Sequence, residues 1–401
     1  MTLDRYRGAL VGLAVGDCLG RPYEGQRTVP DSAIDDLLAR GFVLPYSDDT
    51  AMALALSESI LECGGFSGED MALRFAREWQ AEPHRGYGAS ITSVFESVLT
   101  GARWEEAARR QFGGEGSHGN GGAMRVAPVA LWAYPDLGET IRLAKETARV
   151  THTHPAGVDG AVMQAVSVHH ALNDEFDPSF LIPHFQGVVE TDVFRDKLAV
   201  LGRCLDRSDD EYAALHLGNW VAAANSVPAA LYAFLSGDDY ESVIRRAIRL
   251  GGDTDTIAAM AGAIAGARWG FDAIPEKWLR IEGLERLIGL ADALYDRRSS
   301  QTEPVRCSSC AMPAVLVVTV AYEQETRGGR LLAYCLDCRE RLAERIRLAI
   351  PIEFVNDETF ISLYENGYTR SDPETACELV FGEVRRHLIE AVWPYFHQAG
   401  S

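Results

Sequence analysis

Gly251-Gly252-Asp253-Thr254-Asp255-Thr256 runs directly into the apolar stretch Ile257 to Ala267, and the rest of the chain is organised around it. Two carboxylates one residue apart, followed by a hydroxyl, offer the oxygen donors that a hard cation such as Mg2+ or Mn2+ takes in near-octahedral geometry. The paired glycines let the backbone turn sharply just before them. The same residues also suit a helix N-terminus, where Asp and Thr are ordinary caps and acidic side chains favour the positive end of the helix dipole. Near the front of the chain Ser47-Asp48-Asp49-Thr50 repeats the arrangement, again ahead of a helix-like run, Ala51 to Leu61. If the fold joins these two helix starts, four carboxylates meet, and like charges that close cannot all stay ionised without cations between them. A site for two metals resolves the conflict.

The chain has 401 residues, 47% apolar and 24% charged, an ordinary globular composition with ample material for a core. Its length is large for a single domain. A formal charge of −20 argues against non-specific nucleic-acid binding, which needs a basic surface to displace counterions. Gly8 to Gly16 follows Arg5 and Arg7 and mimics a signal-peptide core, but Asp17 interrupts it and no small-residue cleavage site follows. Ile257 to Ala267 is too short and glycine-rich to span a bilayer. The expected setting is cytoplasmic, away from the membrane.

Taken in order, Leu10 to Gly20 is small, apolar and dotted with glycine, which lets a buried helix approach its neighbours closely. Pro22 and Gly25 place Glu24 on a turn or loop, where a carboxylate can move; a solvated loop acid is the plain alternative. Met71 to Trp79 and Ile91 to Leu99 carry apolar residues at three- and four-residue intervals, so the spacing predicts helices with no strand alternation up to residue 112. Gly86-Tyr87-Gly88 is a turn between them. Gly119-Asn120-Gly121-Gly122-Ala123-Met124-Arg125 is a glycine-rich loop leading into apolar Val126 to Trp132. Such a loop presents backbone N–H groups suited to phosphate, although no Walker sequence follows. Thr151-His152-Thr153-His154-Pro155 lacks the third ligand a zinc site needs, and reads as a hydrogen-bonding helix entrance before Gly157 to Leu172. Trp220 to Leu235, Tyr240 to Leu250 and Trp278 to Arg297 are further expected helices.

These residues together resemble the ADP-ribosylglycohydrolase family. The resemblance rests on Gly16-Asp17-Cys18-Leu19-Gly20 with Glu24 downstream, Ser47-Asp48-Asp49-Thr50, Gly119 to Arg125, Thr151-His152-Thr153-His154-Pro155 and Gly251 to Thr256, in the family's order. Ser47 stands where the family usually has Thr, which keeps the hydroxyl. The resemblance implies an all-α catalytic domain over residues 1–297 with two Mg2+ or Mn2+ ions at the bottom of a cleft. It implies Ser47, Asp48, Asp49, Asp253, Asp255 and Thr256 as ligands, with Asp255 bridging, and Glu24 with Asp49 as catalytic groups. Gly119, Asn120, Gly121, Gly122, Met124 and Arg125 would cradle the diphosphate of ADP-ribose, and His152 would contact it. The implied reaction removes ADP-ribose from a modified protein side chain, with arginine expected as the acceptor. The alternatives are a family member that binds ADP-ribose or a partner without turnover, against which the intact ligand set with Glu24 argues, and a hydrolase acting on another ADP-ribosyl linkage, to serine, nucleic acid or a small molecule.

Residues 298–401 lie outside the resemblance and read as a small α+β extension behind a polar linker ending at Pro304. Cys307-Ser308-Ser309-Cys310 and Cys335-Leu336-Asp337-Cys338 are two Cys-x-x-Cys knuckles, the pattern of one structural Zn2+; disulfides are the alternative, which a reducing compartment disfavours. Between them Val315 to Tyr322 and Arg330 to Tyr334 read as a ribbon hairpin around Gly328-Gly329. Arg339 to Ala349 and Glu374 to Tyr395 are expected helices. This part holds 11 Arg and no Lys against 15 Asp and Glu, so its expected partner is protein, with nucleic acid disfavoured. Cys18, Cys63, Cys204 and Cys377 are expected to be packing residues.

Overall fold

Gly8, Gly12, Gly16 and Gly20 fall every fourth residue and therefore line one face of the first helix, α1 (Leu3–Gly20). That face lies directly on the helix that begins in the acidic stretch, Thr254–Trp269. A Cβ on Gly8 would come within 2.2 Å of the Gly266 carbonyl oxygen, on Gly12 within 2.4 Å of Gly262, on Gly16 within 2.1 Å of Ala258 and on Gly20 within 2.4 Å of Thr254. The partner numbers fall as the glycine numbers rise, so the two helices run antiparallel with their backbones in contact. From Gly8 to Gly20 every residue of the first helix is buried, as expected of a helix that is apolar all round. The packing sets the end of one helix, with Asp17, beside the start of the other, with Asp253 and Asp255.

The computed structural model describes residues 2–173 and 178–301, and three strands at 316–320, 330–334 and 346–351. Among the described residues, α1 is followed by α2 (Ala33–Leu38), α3 (Asp48–Cys63), α4 (Gly68–Ala81), α5 (Ala89–Leu99), α6 (Trp104–Arg109), α7 (Gly121–Met124), α8 (Ala127–Ala133) and α9 (Leu137–Arg149). Then come α10 (Pro155–Leu172), α11 (Pro178–Val188), α12 (Asp192–Arg207), α13 (Asp210–Leu217), α14 (Ala223–Leu235), α15 (Tyr240–Arg249), α16 (Thr254–Trp269) and α17 (Leu284–Gln301). No strand occurs among the described residues before 316, so the expected helical architecture holds for this part. Helix α10 is buried from Ala156 to Leu172 and packs on α9, α14 and α16, which makes it the second central element.

Two expected helices start later than their apolar pattern suggests. Trp220, Val221 and Ala222 lie outside α14 because their backbone is engaged elsewhere: the Val221 carbonyl accepts the Asn120 N–H and the Ala223 N–H donates to His118. Trp278 belongs to a short 3-10 turn and α17 begins only at Leu284, after the Leu44 and Ile281 segments meet in an isolated parallel bridge.

The chain divides into two compact units, Met1–Arg298 and Ser299–Ser401. In the second unit β1 (Leu316–Val320), β2 (Arg330–Tyr334) and β3 (Ile346–Pro351) form an antiparallel sheet in the order β2-β1-β3, with Val318 opposite Leu332 on one side and Ala349 on the other. The expected hairpin strands are therefore paired. The expected helix over Arg339 to Ala349 is corrected, since Ile346 to Ala349 is strand. Ile346, Leu348 and Ile350 alternate with Arg347 and Ala349, a period of two that a strand satisfies and that pairs with β1. Cys307, Cys310, Cys335, Cys338 and the expected helix Glu374 to Tyr395 lie outside the described residues. No helix among the described residues is long and apolar enough to cross a membrane.

Candidate functional site

Ser47 behaves as an N-cap, and Asp253 does not. The Ser47 hydroxyl accepts the Asp49 N–H at 3.2 Å and closes the first turn of α3. Asp253 occupies the equivalent position before α16 yet makes no side-chain capping bond. Its Oδ2 instead accepts the side-chain amide of Asn120 at 2.6 Å, and its N–H donates to the Asn219 carbonyl. Gly251 and Gly252 precede it with φ of 72° and 75°, the left-handed turn that only glycine adopts at little cost. Gly252 pairs with the Glu24 loop in both directions: Gly25 N–H to the Gly252 carbonyl and Gly252 N–H to the Gln26 carbonyl, each at 2.7 Å. Glu24 is thus laced by backbone bonds to the turn that presents Asp253.

The result is a cluster in which Glu24, Asp253 and Asp255 each bring a carboxylate oxygen within 4.8 Å of the other two. The α3 side joins it through Thr256, whose hydroxyl donates to Asp49 Oδ1 at 3.3 Å. Asp48, on the same turn, faces Gly86, where a Cβ would sit 3.5 Å from Asp48 Oδ1. Burial pushes the carboxyl of Asp49 well above the usual range, with Asp17, Asp255, Asp48 and Asp253 adding to it. Asp255 is raised in the same way by burial and then by Asp253, and Asp48 is pushed up to about 7 by burial and then by Asp17. Asp253 is raised by burial, against the Asn120 hydrogen bond. Glu24 lies exposed at the edge, but partial loss of solvent and Asp253 raise it too.

So many buried carboxylates resist ionising together, which is the electrostatic signature of a cation site. Asp49 Oδ2 is buried with no hydrogen-bond partner among the described residues, and the donor set is oxygen throughout. Both observations fit a hard divalent cation. Of the residues expected as ligands, Asp253 and Asp255 lie together with Glu24, and Thr256 links them to Asp49 at the start of α3. A cavity of about 530 Å3 lined by Leu37, Leu38, Phe42, Lys277 and Arg280 contains none of them.

Asp17 carries a role that its sequence context hid. It is wholly buried in α1, and its carboxylate accepts the N–H of Ser47 at 3.0 and 2.9 Å, the N–H of Thr50 at 3.2 Å and the Thr50 hydroxyl at 2.6 Å. It thereby ties the first turn of α3 to the end of α1. A lone acid in an apolar helix was the available signal, because a buried carboxylate requires partners.

The glycine-rich loop meets the cluster through Asn120, which also donates to Ser226 Oγ at 3.0 Å. Gly119 bridges antiparallel to Ala222. Of the loop's N–H groups, that of Gly119 is used by Ser117 Oγ, that of Asn120 by the Val221 carbonyl, those of Ala123 and Met124 by the Asn120 carbonyl and that of Arg125 by the Ala123 carbonyl, which leaves Gly121 and Gly122 at the start of α7. His152 packs against Gly119 and Gly121: a Cβ on Gly121 would strike its Cε1 at 2.6 Å. Its Nδ1 meets the Thr151 hydroxyl at 2.8 Å, and burial, then Arg125 and His118, lower its pKa to about 3, so the ring is neutral. Met124 is buried. Arg125 is wholly buried too, with its guanidinium donating to the Thr147 carbonyl and the Thr151 hydroxyl and lying 4.6 Å over the Phe75 ring. Its contacts brace the loop and the His152 turn. Beside the loop, Phe112 is exposed in the left-handed region (φ 50°) and its ring lies 6.0 Å from that of exposed His118.

The family model described as ADP-ribosylglycohydrolase matches residues 1–304. Human ADP-ribosylhydrolase ARH3 is 38% identical over 341 residues, spanning 73% of this chain and 93% of its own. ADP-ribosylarginine hydrolase Tri1 of Pseudomonas putida is 27% identical over 307 residues, spanning 74% and 79%. A solved structure described as an ADP-ribosylglycohydrolase-related protein complex aligns with a TM-score of 0.58 at 31% identity, covering 73% of this chain and 98% of that one. With the matched span holding both acidic helix starts, the glycine-rich loop and Glu24, the chain belongs to the ADP-ribosylglycohydrolase family, a family of hydrolases.

Proposed function

We propose that this chain removes ADP-ribose from modified protein side chains, with arginine as the acceptor, and that Ser47, Asp48, Asp49, Asp253, Asp255 and Thr256 hold two divalent cations, Mg2+ or Mn2+. The observation that carries the reading is the Asn120 to Asp253 hydrogen bond at 2.6 Å, which couples a phosphate-type loop to an acidic cation cluster. A ligand with a diphosphate at one end and a ribose at the other spans such a pair. When bound, the cations would grip ribose hydroxyls and make a water more acidic.

The chain's own groups supply the rest. Gly121 and Gly122 offer N–H groups to the diphosphate, and neutral His152 fixes the loop against which it lies. Exposed Phe112 and His118 form a platform on which a nucleobase can stack. Cleavage at the anomeric carbon builds positive charge on the ribose, and the surrounding carboxylates favour that charge. Glu24, next to Asp253 and Asp255 and with its carboxyl raised, is the group placed to move a proton at the leaving atom or the attacking water. Asp49, with one buried oxygen unpartnered, serves as ligand and second proton acceptor. The arginine acceptor follows from the cationic guanidinium suiting an acidic mouth, and from the linkage in the name of the Pseudomonas putida relative.

A panel of proteins carrying ADP-ribose on arginine or on serine, incubated with and without Mg2+ and with a chelator, tests the reading. Metal-dependent release from the arginine-linked protein is expected. No release from any member of the panel would sink it.

A further inference from the structure

The segment between α13 and α14, Gly218-Asn219-Trp220-Val221-Ala222, is held by both halves of the site. Asn219 donates through Nδ2 to the Leu250 carbonyl at 2.7 Å, and its own carbonyl accepts the N–H of Asp253 at 2.7 Å. Two residues on, the Val221 carbonyl accepts the Asn120 N–H at 2.9 Å, and the Ala223 N–H donates to His118 at 3.0 Å. Gly218, with φ of 80°, makes the turn that starts the segment. The backbone of Trp220 is therefore fixed between the main chain of Asp253 and the glycine-rich loop.

Its side chain is not packed away. Trp220 is 49% exposed and Val221 61% exposed, on a segment whose neighbours on both sides are anchored. No ring or cation contact to Trp220 is found among the described residues, although most of the other large aromatic side chains near the core are packed against it. An indole left half in water on a segment held on both sides is free to be covered by a bound partner.

We propose that Trp220 recognises the acceptor side of the substrate, its indole face taking the guanidinium of an ADP-ribosylated arginine while apolar Val221 seats the methylene stem. The proposal rests on the hydrolase reading above and names the part of that site that selects the linkage. Trp is the strongest partner for a cation over a ring, and Arg the side chain most often found there. The Glu24 carboxylate lies one loop away, a local negative charge that favours a cation at this mouth. A serine acceptor gains neither the ring contact nor the field.

The test uses the full chain with Mg2+ and two synthetic peptides of one sequence, carrying ADP-ribose on arginine or on serine. Trp220→Ala is expected to raise KM for the arginine peptide roughly tenfold, with the loss in KM rather than kcat. Trp220→Phe should recover most of it, whereas Trp220→Leu, which keeps apolar bulk and loses the ring, should behave like Ala. Affinity for free ADP-ribose, measured by calorimetry on the same variants, should stay near wild type and also reports folding. Full activity in Trp220→Leu, a parallel loss of ADP-ribose affinity, or cleavage of the serine peptide alone by wild type each overturns the acceptor assignment. The last of these leaves the hydrolase chemistry standing, while release from neither peptide by wild type removes that chemistry and this proposal together.

Discussion

Glu24 is the most exposed of the three carboxylates that converge, and so the one with access to a leaving group and to solvent. Glu24→Gln keeps the side-chain shape and the backbone pairing of Gly25 and Gln26 with Gly252. It should slow turnover by about a hundredfold or more while metal content and ADP-ribose binding persist; equal turnover would make Glu24 a bystander. His152 offers a test by stability. Burial, then Arg125 and His118, lower its pKa from 6.5 to about 3 in the folded chain. Because the folded value is depressed, the stabilisation is present above 6.5, where both states are neutral. It is lost as pH falls towards 3, since only the unfolded chain takes up the proton. Between pH 7 and 5 the wild type should lose about 2 kcal/mol more than His152→Gln, read from urea unfolding at each pH. Identical pH dependence in the two proteins would show that the ring titrates freely. His152 was legible in the sequence as a helix-entrance residue, but its neutrality was not, because only the fold buries it.

At the scale of elements, the contact between α1 and α16 is a packing of backbone on backbone. Gly16→Ala would place a methyl 2.1 Å from the Ala258 carbonyl oxygen, a main-chain atom that cannot rotate away. The helices must separate, at a cost of roughly 3 kcal/mol. Asp17, one residue on, would move relative to Ser47 and Thr50, so divalent-cation affinity should fall with stability. Gly289→Ala is the control: it lies exposed inside α17 with nothing within 4 Å of its added Cβ, and should stabilise the chain by about 0.5 to 1 kcal/mol. A neutral Gly16→Ala in thermal and denaturant unfolding would show that the contact is loose. The glycines scattered through Leu10 to Gly20 announced close approach from the sequence alone. Which helix they approach did not show there, since Gly16 and Ala258 are distant in the chain.

Over the whole molecule, the chain divides into two compact units. The paired Cys-x-x-Cys knuckles, Cys307 and Cys310 with Cys335 and Cys338, predict one tightly held Zn2+ per chain, distinct from exchangeable cations at the acidic cluster. Elemental analysis of protein purified with reductant should find it. Replacing Cys335 and Cys338 by Ser should remove it and expose residues 305–350 to protease while metal-dependent cleavage of a small ADP-ribosyl substrate continues. Zinc-free wild type would dismiss the metal, and loss of small-substrate cleavage in the variant would make the second unit part of the catalytic one.

Local chemistry and periodicity determined much of this protein before any contact was known. Carboxylate pairs at the starts of α3 and α16, the glycine-rich loop at 119–125 and the helical spacing of 71–79 and 91–99 are each set by residues adjacent in the chain, and they sufficed to recognise the family. The tertiary structure decided what those residues do. Asp253 leaves capping to bind Asn120, 133 positions away, while Ser47 caps. Asp17 turns from an odd acid in an apolar helix into the tie between α1 and α3, and Arg125 spends its guanidinium on Thr147, Thr151 and Phe75. Trp220 leaves its helical pattern because Asn120 and Asp253 claim the carbonyls beside it, and Ile346 to Pro351 is strand because β1 offers it an edge. In each case hydrogen-bond partners far along the chain outweigh a local preference of a few tenths of a kcal/mol per residue, and no local pattern records such partners.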